Sequence, residues 1–175
     1  MTLDPHTIRL RGPWQLEPTY QHVIAPDGSW TNELKVDGLP PACRQTMPAD
    51  WGESLGRDFW GCVRYRRTFQ QPTNLAPADR VWLIVEPPRS CGEVRLNGEV
   101  LGQVRGGASD RRFDVTQLLS DRNALEIEVE HPERDVQGMP LDDARRYTPG
   151  GLVGEVRLEI ESLIGTREPE SGTAK

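Results

Sequence analysis

The chain of 175 residues is poor in lysine, in cysteine and in uninterrupted apolar sequence. Lys35 and Lys175 are the only lysines, so the 21 basic side chains are almost all arginine. Acidic side chains number 27, which leaves a net charge of −6. The signs are mixed along the whole chain with no basic stripe, and this argues against a nucleic-acid partner. The arginine bias has two readings, a codon preference or a use for fixed bidentate hydrogen bonds. Cys43, Cys62 and Cys91 are odd in number and lack the close paired spacings of a zinc site. No stretch is apolar enough to span a bilayer, and Met1 to Leu10 lacks the hydrophobic segment of a secretory leader. A reduced, cytoplasmic setting with no membrane partner is therefore expected. Helical periodicity sustained over three turns is missing as well.

Glycine (17) and proline (15) are plentiful; they interrupt helices and suit turns between short strands. A chain of this length buries one core of ordinary size but falls short of the ~250 residues of an α/β barrel. Leu125, Ile127 and Val129 alternate with Glu126, Glu128 and Glu130, and Val156, Leu158 and Ile160 with Arg157, Glu159 and Glu161. Each run is a strand with one face in the core and one in water. Val81 to Val85 is apolar on both faces, which places that strand inside a covered sheet. Asn97-Gly98 between Glu93–Leu96 and Glu99–Leu101 marks a two-residue β-hairpin turn. Cys62 to Phe69 is a further strand with Arg64 and Arg66 on one face. Thr7–Leu10, Trp14–Leu16 and Glu33–Val36 are weaker strands, and Asp114 to Leu119 reads as one capped helical turn. Eight or nine short strands indicate an all-β sandwich or barrel. Residues 1–163 form the single domain in this reading, and residues 164–175 a disordered polar tail.

Six short patterns, in order, resemble those of a known family. They are Leu10-Arg11-Gly12-Pro13-Trp14-Gln15-Leu16, Met47-Pro48-Ala49-Asp50-Trp51, Tyr65-Arg66-Arg67-Thr68-Phe69, Val94-Arg95-Leu96-Asn97-Gly98-Glu99-Val100-Leu101-Gly102, Phe113-Asp114-Val115-Thr116 followed by Asn123-Ala124-Leu125, and Gly150-Gly151-Leu152-Val153-Gly154-Glu155-Val156. The chain resembles the N-terminal sugar-binding domain of family-two glycoside hydrolases, the β-galactosidase, β-glucuronidase and β-mannosidase group. Gly154-Glu155 departs from the Arg-Asp frequent there. The resemblance implies a galactose-binding-like jelly-roll β-sandwich that serves as a non-catalytic carbohydrate-binding module, since in that family a separate barrel carries the two catalytic glutamates. The alternatives are an interaction or oligomerisation domain that has lost sugar binding, and a piece of a longer glycoside hydrolase.

Retaining glycoside hydrolysis needs two carboxyl groups ~5–5.5 Å apart across a sugar bond, and the alternating glutamates instead point outward. Asp142 and Asp143 are adjacent, which does not by itself aim them at one atom. His6, His22 and His131 are scattered, and Gly106-Gly107 is a turn rather than a phosphate cradle. No cofactor is expected. Two long connections, residues 38–61 and 131–151, have the length that often carries function. The second holds Asp135, Asp142, Asp143, Arg145, Arg146 and Tyr147. Such a mixture grips sugar hydroxyls while an aromatic ring covers the C–H face; the bland alternative is a solvated charged loop. Trp14 and Trp51 read as core. Trp30 and Trp60 flank turns, where each is either a packing residue or an exposed sugar platform, and Trp60 joins the candidate set. The partners expected are a saccharide, a glycosidase or a second copy of the chain.

Overall fold

A computed structural model describes residues 6–88, 91–131 and 150–162. The elements follow in the order β1 (His6–Arg9), β2 (Trp14–Ile24), β3 (Trp30–Lys35), β4 (Cys43–Gln45), α1 (Gly52–Leu55), β5 (Gly61–Gln70), β6 (Arg80–Val85), β7 (Cys91–Leu96), β8 (Glu99–Arg105), β9 (Arg111–Asp114), β10 (Arg122–His131) and β11 (Val156–Glu161). They make two antiparallel sheets. The small one runs β1-β11-β6-β9; the large one runs β3-β2-β5-β10-β7-β8, with β4 paired to β2. The architecture is the jelly-roll, galactose-binding-like sandwich. The tail proposed for residues 164–175 lies outside the described residues.

Period-two alternation builds the core. Val63 and Tyr65 of β5, Leu125, Ile127 and Val129 of β10, and Val94 and Leu96 of β7 face inward from the large sheet. Val81, Leu83 and Val85 of β6 with Val156 and Leu158 of β11 meet them from the small one. The second apolar face of β6 has its own cover. Ile84 pairs with Arg112 and Arg157 on the flanking strands, and arginine stems shield apolar surface while their heads stay in water. Trp82, on the same face, donates its indole N–H to Glu161 Oε2 at 2.9 Å, and the Arg112 guanidinium lies 4.5 Å from its ring centre.

The hairpin turns at Asn97 (φ 53°) and Gly98 (φ 89°), the left-handed pair that a two-residue turn demands. Asp114 to Leu119 is a turn rather than a helix: Asp114 Oδ1 accepts from the Thr116 amide at 3.1 Å and the Thr116 hydroxyl at 2.6 Å. The long connection 38–61 holds β4 and α1.

The outer face of the large sheet is a polar grid. One row, read across five strands, is Tyr20, Cys62, Glu130, Cys91 and Arg105; the next is Glu17, Arg64, Glu128, Glu93 and Gln103. Arg64 reaches Glu128 Oε2 at 3.1 Å through both Nε and Nη2, and Arg66 reaches Glu126 at 2.9 Å and Glu17 at 3.0 Å. Glu126 and Glu128 therefore do face outward, as ladder partners of Arg66 and Arg64 on β5.

Candidate functional site at the end of the sandwich

Asp142, Asp143, Arg145, Arg146 and Tyr147 lie outside the described residues, as does Asp135. Both anchors of their segment are described. β10 delivers the chain to His131, buried with its ring centre 5.7 Å from Trp60 and 6.3 Å from Trp51. The chain returns at Gly150, whose carbonyl accepts from the Trp51 amide at 3.1 Å and whose amide donates to Asp50 Oδ1 at 3.2 Å. That same oxygen accepts from the Gly52 amide at 2.9 Å and so ties α1 to the returning segment ahead of β11. Ala49 N–H adds a bond to the Leu152 carbonyl at 3.2 Å.

Close approach explains the two glycines. A Cβ on Gly150 would overlap the Trp51 indole, and one on Gly151 would overlap the Tyr65 hydroxyl. Gly151 also has a φ of 88°, a conformation that side chains resist. Burial raises the Tyr65 phenol above its ordinary range, with the Leu152 backbone amide pulling the other way. Gly154 is determined similarly, since a Cβ there would press on Glu86 at 2.5 Å. Its neighbour Glu155 is tied to Arg9 at 2.9 Å. The departure from Arg-Asp thus has a local structural basis.

Behind the anchors runs a continuous line of rings. Trp51 meets Phe59 at 5.5 Å, Trp60 meets Trp30 at 5.7 Å, Trp30 meets His22 at 5.9 Å and His22 meets Tyr20 at 5.8 Å, all edge to face. Edge-to-face pairs gain ~0.5–1.5 kcal/mol each beyond the area they bury. Of the two readings open for Trp30 and Trp60, packing is the one the structure shows, because they are 2% and 4% exposed. Trp30 opens β3 rather than ending a turn, and its ring closes over Trp60. In this arrangement Trp60 presents no open face to a sugar. His22, Phe59 and Asp50 belong to the same frame and were not singled out from sequence; Asp50 sat within a recognised motif, but only as spacing.

Burial pushes the Cys62 thiol up to about 12, so it is protonated at neutral pH and no nucleophile. Among the described residues, no group of three or more His, Cys, Asp or Glu side chains could hold a metal ion. No helix among them is long and apolar enough to cross a membrane.

Fold and anchors together define a galactose-binding-like β-sandwich with one long connection rooted in an aromatic cluster. The model of the glycosyl hydrolase 2 galactose-binding domain-like family matches residues 56–151, and the chain belongs to that family. No curated protein matches it. Among solved structures, the FMN-binding β-glucuronidase of Faecalibacterium prausnitzii L2-6 is similar at 26% identity and a TM-score of 0.64, covering 89% of this chain. The β-glucuronidase of Bifidobacterium dentium, solved with coumarin-3-O-glucuronide, is similar at 22% identity and a TM-score of 0.65, covering 92%. That of Dictyoglomus thermophilum follows at 15% and 0.63. The chain spans only 22% of the first enzyme's length and 31% of the second's.

Proposed function

We propose that the chain is a non-catalytic, sugar-recognising domain of the kind family-two glycosidases carry beside their catalytic barrel, with residues 131–151 as its ligand-contacting loop. The observation that carries this reading is the match over 89% of the chain to 22% of a β-glucuronidase at 26% identity. The chain corresponds to one part of such an enzyme, and that part is a sandwich rather than a barrel. The loop reading is supported by its anchors: Trp51 and Asp50 hydrogen-bond the returning segment at Gly150 and Tyr65 packs against Gly151, which gives the connection a firm base. All three cysteines are free thiols, as suits a reducing, cytoplasmic setting.

Glucuronides are the first saccharides to titrate, with neutral hexosides beside them. Saturable binding is expected, with no cleavage of nitrophenyl glycosides. Tyr147→Ala with Arg146→Ala should abolish binding by removing a stacking face and a charged donor, while thermal stability stays nearly unchanged. Turnover that tracks the pure protein, or binding indifferent to the double substitution, would overturn the respective half of the reading.

A second reading, a docking or self-association domain, draws on one observation. Edge strand β3 and the residue after it expose Leu34 (39%) and Val36 (65%). A mass in solution that rises with concentration, and falls back in Leu34→Glu, would favour it.

A further inference from the structure

The outer face of the large sheet carries an open cleft of ≈ 520 Å³, floored by β10 and β7. One end of it borders the loop anchors, since Glu130 immediately precedes His131 and Tyr20 ends the ring line. Glu93, Gln103 and Glu128 lie toward the other end, and its size is that of a small-molecule site. Glu128 and Glu93 lie directly opposite one another across β10 and β7, and Glu93 in turn faces Gln103 on β8. Like charges in direct register destabilise a sheet. Alternation asks only for polar residues there, so the pair is not required by the fold. Each carboxylate is neutralised from one side only. Glu128 takes both Arg64 hydrogen bonds on Oε2, and Glu93 takes that of Arg95 Nε on Oε1 at 2.7 Å. Glu128 Oε1 and Glu93 Oε2 receive no hydrogen bond among the described residues, and the Gln103 amide is exposed.

The cleft is thus rich in acceptors yet close to neutral: Glu93, Glu128 and Glu130 in its lining are set against Arg95 and Arg105, with Arg64 beside it. An anion would meet the carboxylates, and a metal ion would find no convergent ligand set. A neutral ligand dense in hydroxyls satisfies both open carboxylate oxygens, with Gln103 and Arg105 donating in return and the Tyr20 ring as a wall. We propose that this cleft is a second saccharide site, separate from residues 131–151, which takes a neutral pyranose through adjacent hydroxyls donated to Glu128 and Glu93.

Cys91 gives the test its probe. It lines the cleft half-exposed, whereas Cys43 is half-exposed but outside it, and Cys62 is protonated at working pH. Iodoacetamide labelling with peptide mapping, over a series of neutral gluco-, galacto- and manno-oligosaccharides and a glucuronide, should show saturable protection of Cys91 by a neutral sugar and none of Cys43. Protection should survive Tyr147→Ala with Arg146→Ala. In Glu93→Gln or Gln103→Ala it should weaken about tenfold or more, the effect of losing one charge-assisted or well-made hydrogen bond. Circular dichroism confirms that each variant is folded. An unchanged Cys91 labelling rate across the series would overturn the proposal. Protection that disappears with the loop variant but persists in both cleft variants would overturn it too, while leaving the loop reading intact.

Discussion

Ile127→Ala, set against Glu128→Ala one residue on, tests the layer assignment on which the rest depends. Ile127 is fully buried on the central strand β10, directly opposite Tyr65 on one side and Val94 on the other. Removing three methyl-sized groups at ~0.8 kcal/mol each forfeits ~2.4 kcal/mol of transfer energy. Both neighbouring strands are hydrogen-bonded to β10, so the site cannot collapse onto the void. The cost therefore belongs in the middle of the ~2–5 kcal/mol range of such truncations, at about 3–4 kcal/mol. Glu128 sits on the outer face with its side chain 38% exposed and paired to Arg64. Its loss leaves Arg64 near Glu126 and relieves the repulsion with Glu93, so the expected change is under ~0.5 kcal/mol. Urea unfolding reads the difference. With a slope near ~2 kcal/mol/M, the first variant should lower the midpoint by ~1.5–2 M and the second by ~0.25 M at most. Equal shifts would mean that the faces of β10 are misassigned, and the polar grid and its cleft would fall with them.

Gly151→Ala combines a left-handed backbone with a Cβ that overlaps the Tyr65 hydroxyl, so it should lower the melting temperature more than Gly98→Ala, where the turn is open; equal effects would argue against the tight anchor. Trp60→Ala should cost ~3–5 kcal/mol as a buried aromatic truncation, and a stable variant that loses only sugar binding would restore the platform role. The Thr116 hydroxyl bond, then its amide and Arg80, hold the Asp114 carboxyl below the usual carboxylate range. Its stabilising effect is present above the unfolded value of ~3.9 and is lost as pH falls through the folded one. Asp114→Asn should accordingly flatten the acid limb of the stability curve below about pH 4, and an unchanged limb would exclude this carboxyl as a source of acid sensitivity.

The sandwich was legible because strand alternation is a local signal. β10 and β11 follow period two almost residue by residue, and β6 differs only because arginine stems on β9 and β11 cover its second face. Less local features were missed. β2 runs to Ile24 rather than ending near Leu16, because a register shift at Pro18/Tyr20 interrupts the alternation on which the reading relied. That shift brings the Tyr20 carbonyl so close to Gly61 that no side chain fits there. β4 pairs with β2 through only three residues, too few to leave a periodic trace.

The site was far less legible, and the recognised motifs show why. Each is a clasp. Trp14 donates its indole N–H to the Leu10 carbonyl at 2.6 Å. Asn97 bonds Asn123 at 3.0 Å and the Leu118 carbonyl at 2.8 Å, joining the hairpin turn to the start of β10. Thr116 accepts from the Val81 amide at 2.9 Å and closes β9 onto β6. Gly150 and Gly151 make room for Trp51 and Tyr65. Residues of this kind are fixed by geometry common to the fold, so they identify the sandwich and are silent about the ligand. The two readings of Trp60 stay undivided in sequence for a related reason: its neighbours Phe59 and Gly61 look like a turn, yet the rings that bury it, Trp30 and His131, lie about thirty and seventy residues away. A ligand surface is instead written in polar side chains that no clasp requires. By that criterion the chain offers two places to look, the charged connection 131–151 and the opposed carboxylates of Glu93 and Glu128, and only the second needed strand register to be seen.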